Sequence, residues 1–158
     1  MSKVVKIYTD GSAKGNPGRG GYGVVMRFGE TVKELNEGFR LTTNNRMELM
    51  ALIVALESLK TTSYAVEVFS DSKYVVDAIE KRWVFAWRQK GYKGKKNQDL
   101  WERYVTLHMK FNPKIYWVKG HAGHPENERC DELAVFAAEG KYLNIDSNYE
   151  SSKKEGLS

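Results

Sequence analysis

Between Arg46 and Leu59 nearly every residue is apolar, and that one stretch narrows the folds open to the chain. Met47, Met50, Ala51, Val54 and Ala55 recur with the 3.6-residue period of a helix. Leu49, Leu52, Ile53, Leu56 and Leu59 fill most of the remaining positions, so the helix keeps no face for water and must be nearly surrounded by protein. The whole chain has 158 residues, one ordinary domain's worth. A domain of this size buries roughly two-thirds of its unfolded surface and needs no staples to fold.

Around that helix the pattern alternates between strands and helices. Val4–Thr9 is β-rich and stops at Asp10. Gly11–Gly21 carries five glycines and Pro17 and reads as a long turn. Tyr22–Phe28 and Thr31–Leu41 read as a hairpin turning near Gly29-Glu30. Ala65–Ser70 is a further strand, Ser72–Lys81 and Asp99–Phe111 are helical, and Lys114–Val118 is a short strand. Lys119–Pro125 is a loop, and Glu126–Glu139 is a helix closed by Gly140. From Tyr142 onward the chain is polar and aperiodic, and a loose tail is expected. The order β-β-β-α-β-α-α-β-α predicts an α/β protein whose sheet begins antiparallel and continues parallel. The expected division is a catalytic domain over residues 1–141 and a flexible tail over 142–158.

Charge is informative because of where it sits. The net charge is +5, but Lys81, Arg82, Arg88, Lys90, Lys93, Lys95 and Lys96 lie together, with no acid between Glu80 and Asp99. Without those seven, acids outnumber bases by two. A local patch of this kind usually faces a polyanion, although a solvated lysine-rich loop would look the same. Cys130 is the one cysteine, which excludes an intramolecular disulfide and fits a reducing, cytoplasmic setting. No apolar run approaches the roughly 20 residues of a membrane span, so no membrane partner is expected.

Two carboxylates, Asp10 and Asp71, fall immediately after expected strands, where α/β sheets gather their sites. Each acid also has an ordinary explanation. Asp10 before Gly11 suits a turn, Asp71 suits a helix N-cap, and Asn45–Glu48 has capping-box spacing. Asp131 sits among other acids near the start of a helix, where such residues are common. If the four converge, mutual repulsion would demand a cation. Hard oxygen ligands select magnesium or manganese rather than zinc. Two such ions about 3.5–4 Å apart serve phosphodiester hydrolysis, one activating water and the other stabilising the leaving oxygen.

Thr9-Asp10-Gly11-Ser12, Gly15-Asn16-Pro17-Gly18, Thr42 through Glu48, Ser70-Asp71-Ser72 and Lys119 through Asp131 together resemble bacterial type 1 ribonuclease H. The blocks occur in family order and span about Val4 to Ala138. The resemblance implies a ribonuclease H-like fold with a mixed five-stranded sheet, strands 1–3 antiparallel and 4–5 parallel. It implies an endonuclease that cuts the RNA strand of RNA–DNA hybrids by a two-metal-ion mechanism, without strong sequence preference, leaving 5′-phosphate and 3′-hydroxyl ends. Asp10, Glu48, Asp71 and Asp131 match the ligands of two Mg2+ ions, with Mn2+ as an alternative. His121 matches a loop histidine thought to assist proton transfer or product release, and Glu128 a supporting acid. Gly11, Ser12, Asn16, Asn44 and Asn45 match groups facing the hybrid's minor groove, and Thr43 a residue gripping a DNA phosphate. Trp83, Trp87, Lys90, Lys93, Lys95 and Lys96 match the family's basic protrusion, which holds the DNA strand. For the two tryptophans, core packing beneath the protrusion is the competing reading. The stretch from Gly91 to Asp99 looks shorter than in the best-known bacterial member, which implies weaker hybrid affinity. Met1 and the full set of blocks lead us to expect a free-standing protein, and a monomer. A binding module without chemistry and a DNA nuclease on the same fold are the alternatives.

Overall fold

In the computed structural model, which describes residues 3–156, one five-stranded sheet separates two layers of helices. The strands are β1 (Val4–Lys14), β2 (Gly18–Phe28), β3 (Thr31–Thr42), β4 (Ala65–Ser70) and β5 (Lys114–Trp117). The helices are α1 (Asn44–Glu57), α2 (Lys73–Glu80), α3 (Trp83–Gln89), α4 (Gln98–Phe111), α5 (Pro125–Glu139) and α6 (Ser147–Gly156). The sheet order is β3-β2-β1-β4-β5. The first three strands pair antiparallel, whereas β1–β4 and β4–β5 pair parallel. This is the mixed α/β sheet expected from the sequence.

The apolar helix α1 is enclosed as its composition demands. Met47, Leu49, Ala51, Leu52, Ile53, Ala55 and Leu56 are all essentially inaccessible, packed with Ile7 and Val24 of the sheet and with Trp101 and Tyr104 of α4. Burying one large aliphatic side chain is worth about 1.5–3 kcal/mol, so this helix anchors the core.

On the other face α5 crosses β2, β1 and β3. It lies unusually close because the sheet offers it glycines. A Cβ on Gly23 would stand 2.2 Å from the Cys130 carbonyl oxygen, one on Gly21 2.4 Å from that of Ala134, and one on Gly38 2.1 Å from that of Ala137. Helix backbone therefore rests on strand backbone, and only glycine permits it.

These contacts explain a departure from the sequence reading. Gly11–Gly21 is not a long turn. β1 continues to Lys14, β2 begins at Gly18, and the ladder runs without a break from Lys6↔Arg27 to Lys14↔Arg19. Gly20, Gly21 and Gly23 are strand residues chosen for close approach, not for bending. The basic segment holds a helix that the sequence reading lacked, α3, preceded by Arg82 in a left-handed conformation (φ 67°).

The segment after Tyr142 is also more ordered than expected. Asn144 forms a bridge with Phe39 and exchanges backbone hydrogen bonds with Gly38 and Arg40, and α6 follows. Its anchor is Asp146, 4% exposed, whose carboxylate accepts from Arg46 Nε at 2.7 Å, Arg46 Nη2 at 2.9 Å and Thr42 Oγ1 at 2.7 Å. Three charge-assisted or hydroxyl donors in a dry site overcome the segment's lack of apolar periodicity.

Candidate active site and nucleic-acid groove

Three chain segments bring carboxylates to one point. Asp10 lies within β1, Glu48 on the first turns of α1, and Asp71 directly after β4. The parallel pairing of β1 with β4 sets Thr9 against Ser70, so Asp10 and Asp71 leave adjacent strands side by side. Gly11 brings α1 to them, since a Cβ there would stand 2.3 Å from the Glu48 amide nitrogen. One carboxylate oxygen from each of Asp10, Glu48 and Asp71 lies within 4.8 Å of the others.

The ordinary roles considered for these acids are filled by neighbours. Thr43 is the N-cap of α1, its Oγ1 accepting from the Arg46 amide, so Glu48 is not spent on a capping box. Ser72 is the N-cap of α2, its Oγ accepting from the Val75 amide, so Asp71 is not a cap either. Asp10 sits in extended strand, not in a turn, and accepts from the Gly11 amide at 2.9 Å.

α5 supplies the fourth acid. Asp131 lines a small recess together with Asp10, Asp71, Gly120, His121, Asn127 and Glu128. It stands outside the tight triad but close enough to disfavour ionisation of Asp10. His121 is exposed on the preceding loop with left-handed backbone (φ 53°). Gly120 lets that loop close on the site, because a Cβ there would stand 2.6 Å from Asp71 Oδ2. Trp117 Nε1 ties the same corner by donating to the Asp71 carbonyl at 3.1 Å. Gly120 and Asn127 were not singled out from sequence, although both lie inside the long matching block.

The electrostatics are those of a cation site. Burial and the neighbouring Asp71 carboxylate push Asp10 up to about 7. Burial, Asp10 and Asp71 hold Glu48 well above the usual carboxylate range. Glu48 Oε1 is buried without any hydrogen-bond partner. Among the described residues no Lys or Arg forms an ion pair with any of the four acids. A buried Glu48 oxygen without a hydrogen-bond partner, beside half-buried carboxylates that no cationic side chain pairs among the described residues, fits a divalent metal, and an all-oxygen donor set fits magnesium or manganese.

One turn back along α1 a wide groove opens. It is lined by Asn16, Thr43, Asn45, Lys95, Lys96 and Asn97, among others. Asn16 Oδ1 accepts from the Asn44 amide at 3.0 Å and so ties the hairpin tip to the start of α1. Ser12 is half-buried on β1 opposite Gly21. Lys95 and Lys96 reach the groove, whereas Lys90 and Lys93 are exposed beyond α3 and do not line it. Trp83 is 45% exposed beneath Lys81 Nζ at 5.1 Å. Trp87 is half-buried in the core and also borders the basic residues. It packs edge-on against buried Trp101 and carries Lys95 Nζ 4.9 Å from its ring centre. Asn97, left-handed at φ 65°, and Arg46 also belong to this groove and had no signal in the sequence as single residues.

A carboxylate cluster where β1, β4 and α1 meet, with a basic groove beside it, is an arrangement suited to an enzyme that acts on nucleic acid. The RNase H family model matches residues 2–139. Ribonuclease H of Desulforamulus reducens is 56% identical over 149 residues, covering 91% of this chain and 93% of that protein. Ribonuclease H of Pectobacterium carotovorum is 51% identical over 156 residues, covering 96% and 99%. Among solved structures, LC9-RNase H1 superposes with a TM-score of 0.79 at 34% identity, covering 96% of this chain and 81% of that one. LC11-RNase H1, solved in complex with RNA/DNA hybrid, gives 0.62 at 31% identity, covering 85% and 96%. The chain belongs to the RNase H family, and it is a nuclease. No described helix is long and apolar enough to cross a membrane.

Proposed function

We propose that this enzyme hydrolyses the RNA strand of RNA–DNA hybrids, with Asp10, Glu48, Asp71 and Asp131 holding two magnesium ions. The observation that carries the reading is the buried, partnerless Glu48 Oε1 between Asp10 and Asp71. Divalent cations bound there would supply Lewis acidity to an attacking water and to the departing 3′ oxygen, leaving 5′-phosphate and 3′-hydroxyl ends. The protein's own part is positioning. Strands β1 and β4 and helix α1 fix three acids, and α5 presents Asp131 and the supporting Glu128. His121, at the mouth of the recess, is placed to move a proton or to ease product departure.

Gly11, Ser12, Asn16, Asn44 and Asn45 face the minor groove of the hybrid. There, short amides and backbone groups test for 2′-hydroxyls without reading bases, which gives selectivity for RNA but little for sequence. Thr43 grips a DNA phosphate, and Lys95, Lys96 and the more distant Lys90 and Lys93 hold the DNA strand with Trp83 and Trp87. The enzyme works as a monomer in the cytoplasm.

The test is to incubate pure protein and magnesium with labelled hybrid, duplex RNA, duplex DNA and single-stranded RNA. Cleavage confined to the RNA of the hybrid is the expected result. Equal cutting of duplex DNA would overturn it. His121→Ala should slow turnover by about 10²-fold, the lower range for general acid–base groups. An unchanged rate in steady-state assays would remove His121 from the mechanism.

A further inference from the structure

The groove beside α1 has a wall that the functional reading leaves unassigned. Besides Thr43, Asn45, Lys95 and Lys96 it is lined by Tyr149, Ser152 and Lys153 of α6. Helix α6 is held there by more than chain connectivity. Asp146 at its start pairs with buried Arg46, Asn148 Nδ2 donates to Asp99 Oδ2 at 3.1 Å, and Arg40 pairs with Glu150 at 2.7 Å. Arg46 belongs to α1 and Asp99 to α4, so the same ion pair and hydrogen bond that order α6 fix its distance from the groove's other two walls. The Tyr149 ring has the Arg46 guanidinium 5.8 Å from its centre and Lys153 Nζ at 5.7 Å.

The charge in this groove is one-sided. Its carboxylates are already spent: Asp99 on Arg46 and Asn148, and Glu102 on Arg88 and the Tyr92 hydroxyl. Among the described residues no carboxylate forms an ion pair with Lys95, Lys96 or Lys153. Three ammonium groups from two separate segments, none in an ion pair with a carboxylate among the described residues, therefore line one channel, the arrangement that attracts a polyanion.

We propose that α6 is a third wall of the nucleic-acid channel and that Lys153 contacts a backbone phosphate of the hybrid beyond those held by Thr43, Lys95 and Lys96. The proposal rests on the hybrid reading above. A phosphate contact contributes affinity and register but no sequence information. Each one also adds about 0.9 to the slope of log Kd against log salt.

The experiment compares the full chain with Lys153→Ser and, as a control, Lys110→Ser, near the far end of α4 from the groove. Binding of a labelled hybrid is measured in EDTA, where no cleavage runs, at 50 and 200 mM salt. Loss of one phosphate contact shrinks the wild type's advantage by about 3.5-fold over that range. The expected result is that loss for Lys153→Ser, none for Lys110→Ser, and an unchanged thermal midpoint for both. Equal slopes for wild type and Lys153→Ser, or an equal loss in Lys110→Ser, would overturn the proposal while leaving the hybrid reading in place. A wild type that neither binds nor cuts hybrid would overturn both.

Discussion

Asp10→Asn will abolish magnesium-dependent cleavage, by about 10³-fold or more, and will make the metal-free protein more stable. The first effect follows from removing one of three charges whose oxygens lie within 4.8 Å of one another. Metal ions contribute several kcal/mol to such reactions, and each 1.36 kcal/mol is a factor of ten. The second effect follows from the raised pKa of Asp10, about 7 in the fold. In the unfolded chain Asp10 ionises near 4. A proton is therefore taken up on folding between those values, and its contribution to stability is complete below about pH 4 and lost as pH rises through 7. At pH 8 without metal the ionised cluster works against the fold. Removing its charge at position 10 should recover on the order of 2–4 kcal/mol. Thermal unfolding in EDTA at pH 5 and pH 8 reads this directly. Wild type should lose midpoint as pH rises, and the variant should lose less. A variant less stable than wild type at pH 8 would mean that Asp10 is structural, and normal turnover would dismiss it as a ligand.

Asp146→Ala will cost about 3 kcal/mol, the low end for breaking a buried ion pair, because Arg46 keeps Asp99 as a second partner. For a domain of this length that is a fall of about 6–12 °C in Tm. Arg46 Nε and Thr42 Oγ1 lose their acceptor, and Arg46 Nη2 loses one of its two while keeping Asp99. Burial would by itself raise the Asp99 pKa, yet its hydrogen bonds and charge pairing with Arg46 outweigh that and lower it. The same two carboxylates hold the Arg46 guanidinium protonated against its own burial. Denaturant unfolding of wild type and variant at pH 7 checks the figure. A loss under 1 kcal/mol would mean that the segment from Asn144 to α6 contributes little to the domain.

That second prediction concerns a region the sequence did not advertise. Asp146 sits in a polar stretch without periodicity, and its burial depends on an arginine a hundred residues away. Helix α1 was legible because its apolar residues state their own environment. The strands were legible from alternation, and the change from antiparallel to parallel pairing from the run of β-β-β before the first helix. The glycines between Gly11 and Gly21 misled because bending and close approach use the same residue. Only the ladder from Asp10↔Gly23 to Lys14↔Arg19 distinguishes the two. The convergence of Asp10, Glu48 and Asp71 was also invisible residue by residue, since a turn or a cap explained each. It became legible through the resemblance of five blocks. The coordinates then placed Thr43 and Ser72 in the capping roles and left Glu48 and Asp71 uncommitted.

The seat of α5 on Gly21, Gly23 and Gly38 has a bearing on tuning the enzyme. Helix and sheet backbones meet there across the thinnest spacer a polypeptide allows, with only side-chain carbons of Leu133, Ala137 and Leu143 beside the contact. A single methyl at position 23 would press on the Cys130 carbonyl and force outward the turn of α5 that carries Asp131. The spacing of the acids could thus be adjusted from the strand beneath α5, through the contact of Gly23 with Cys130, without altering any carboxylate.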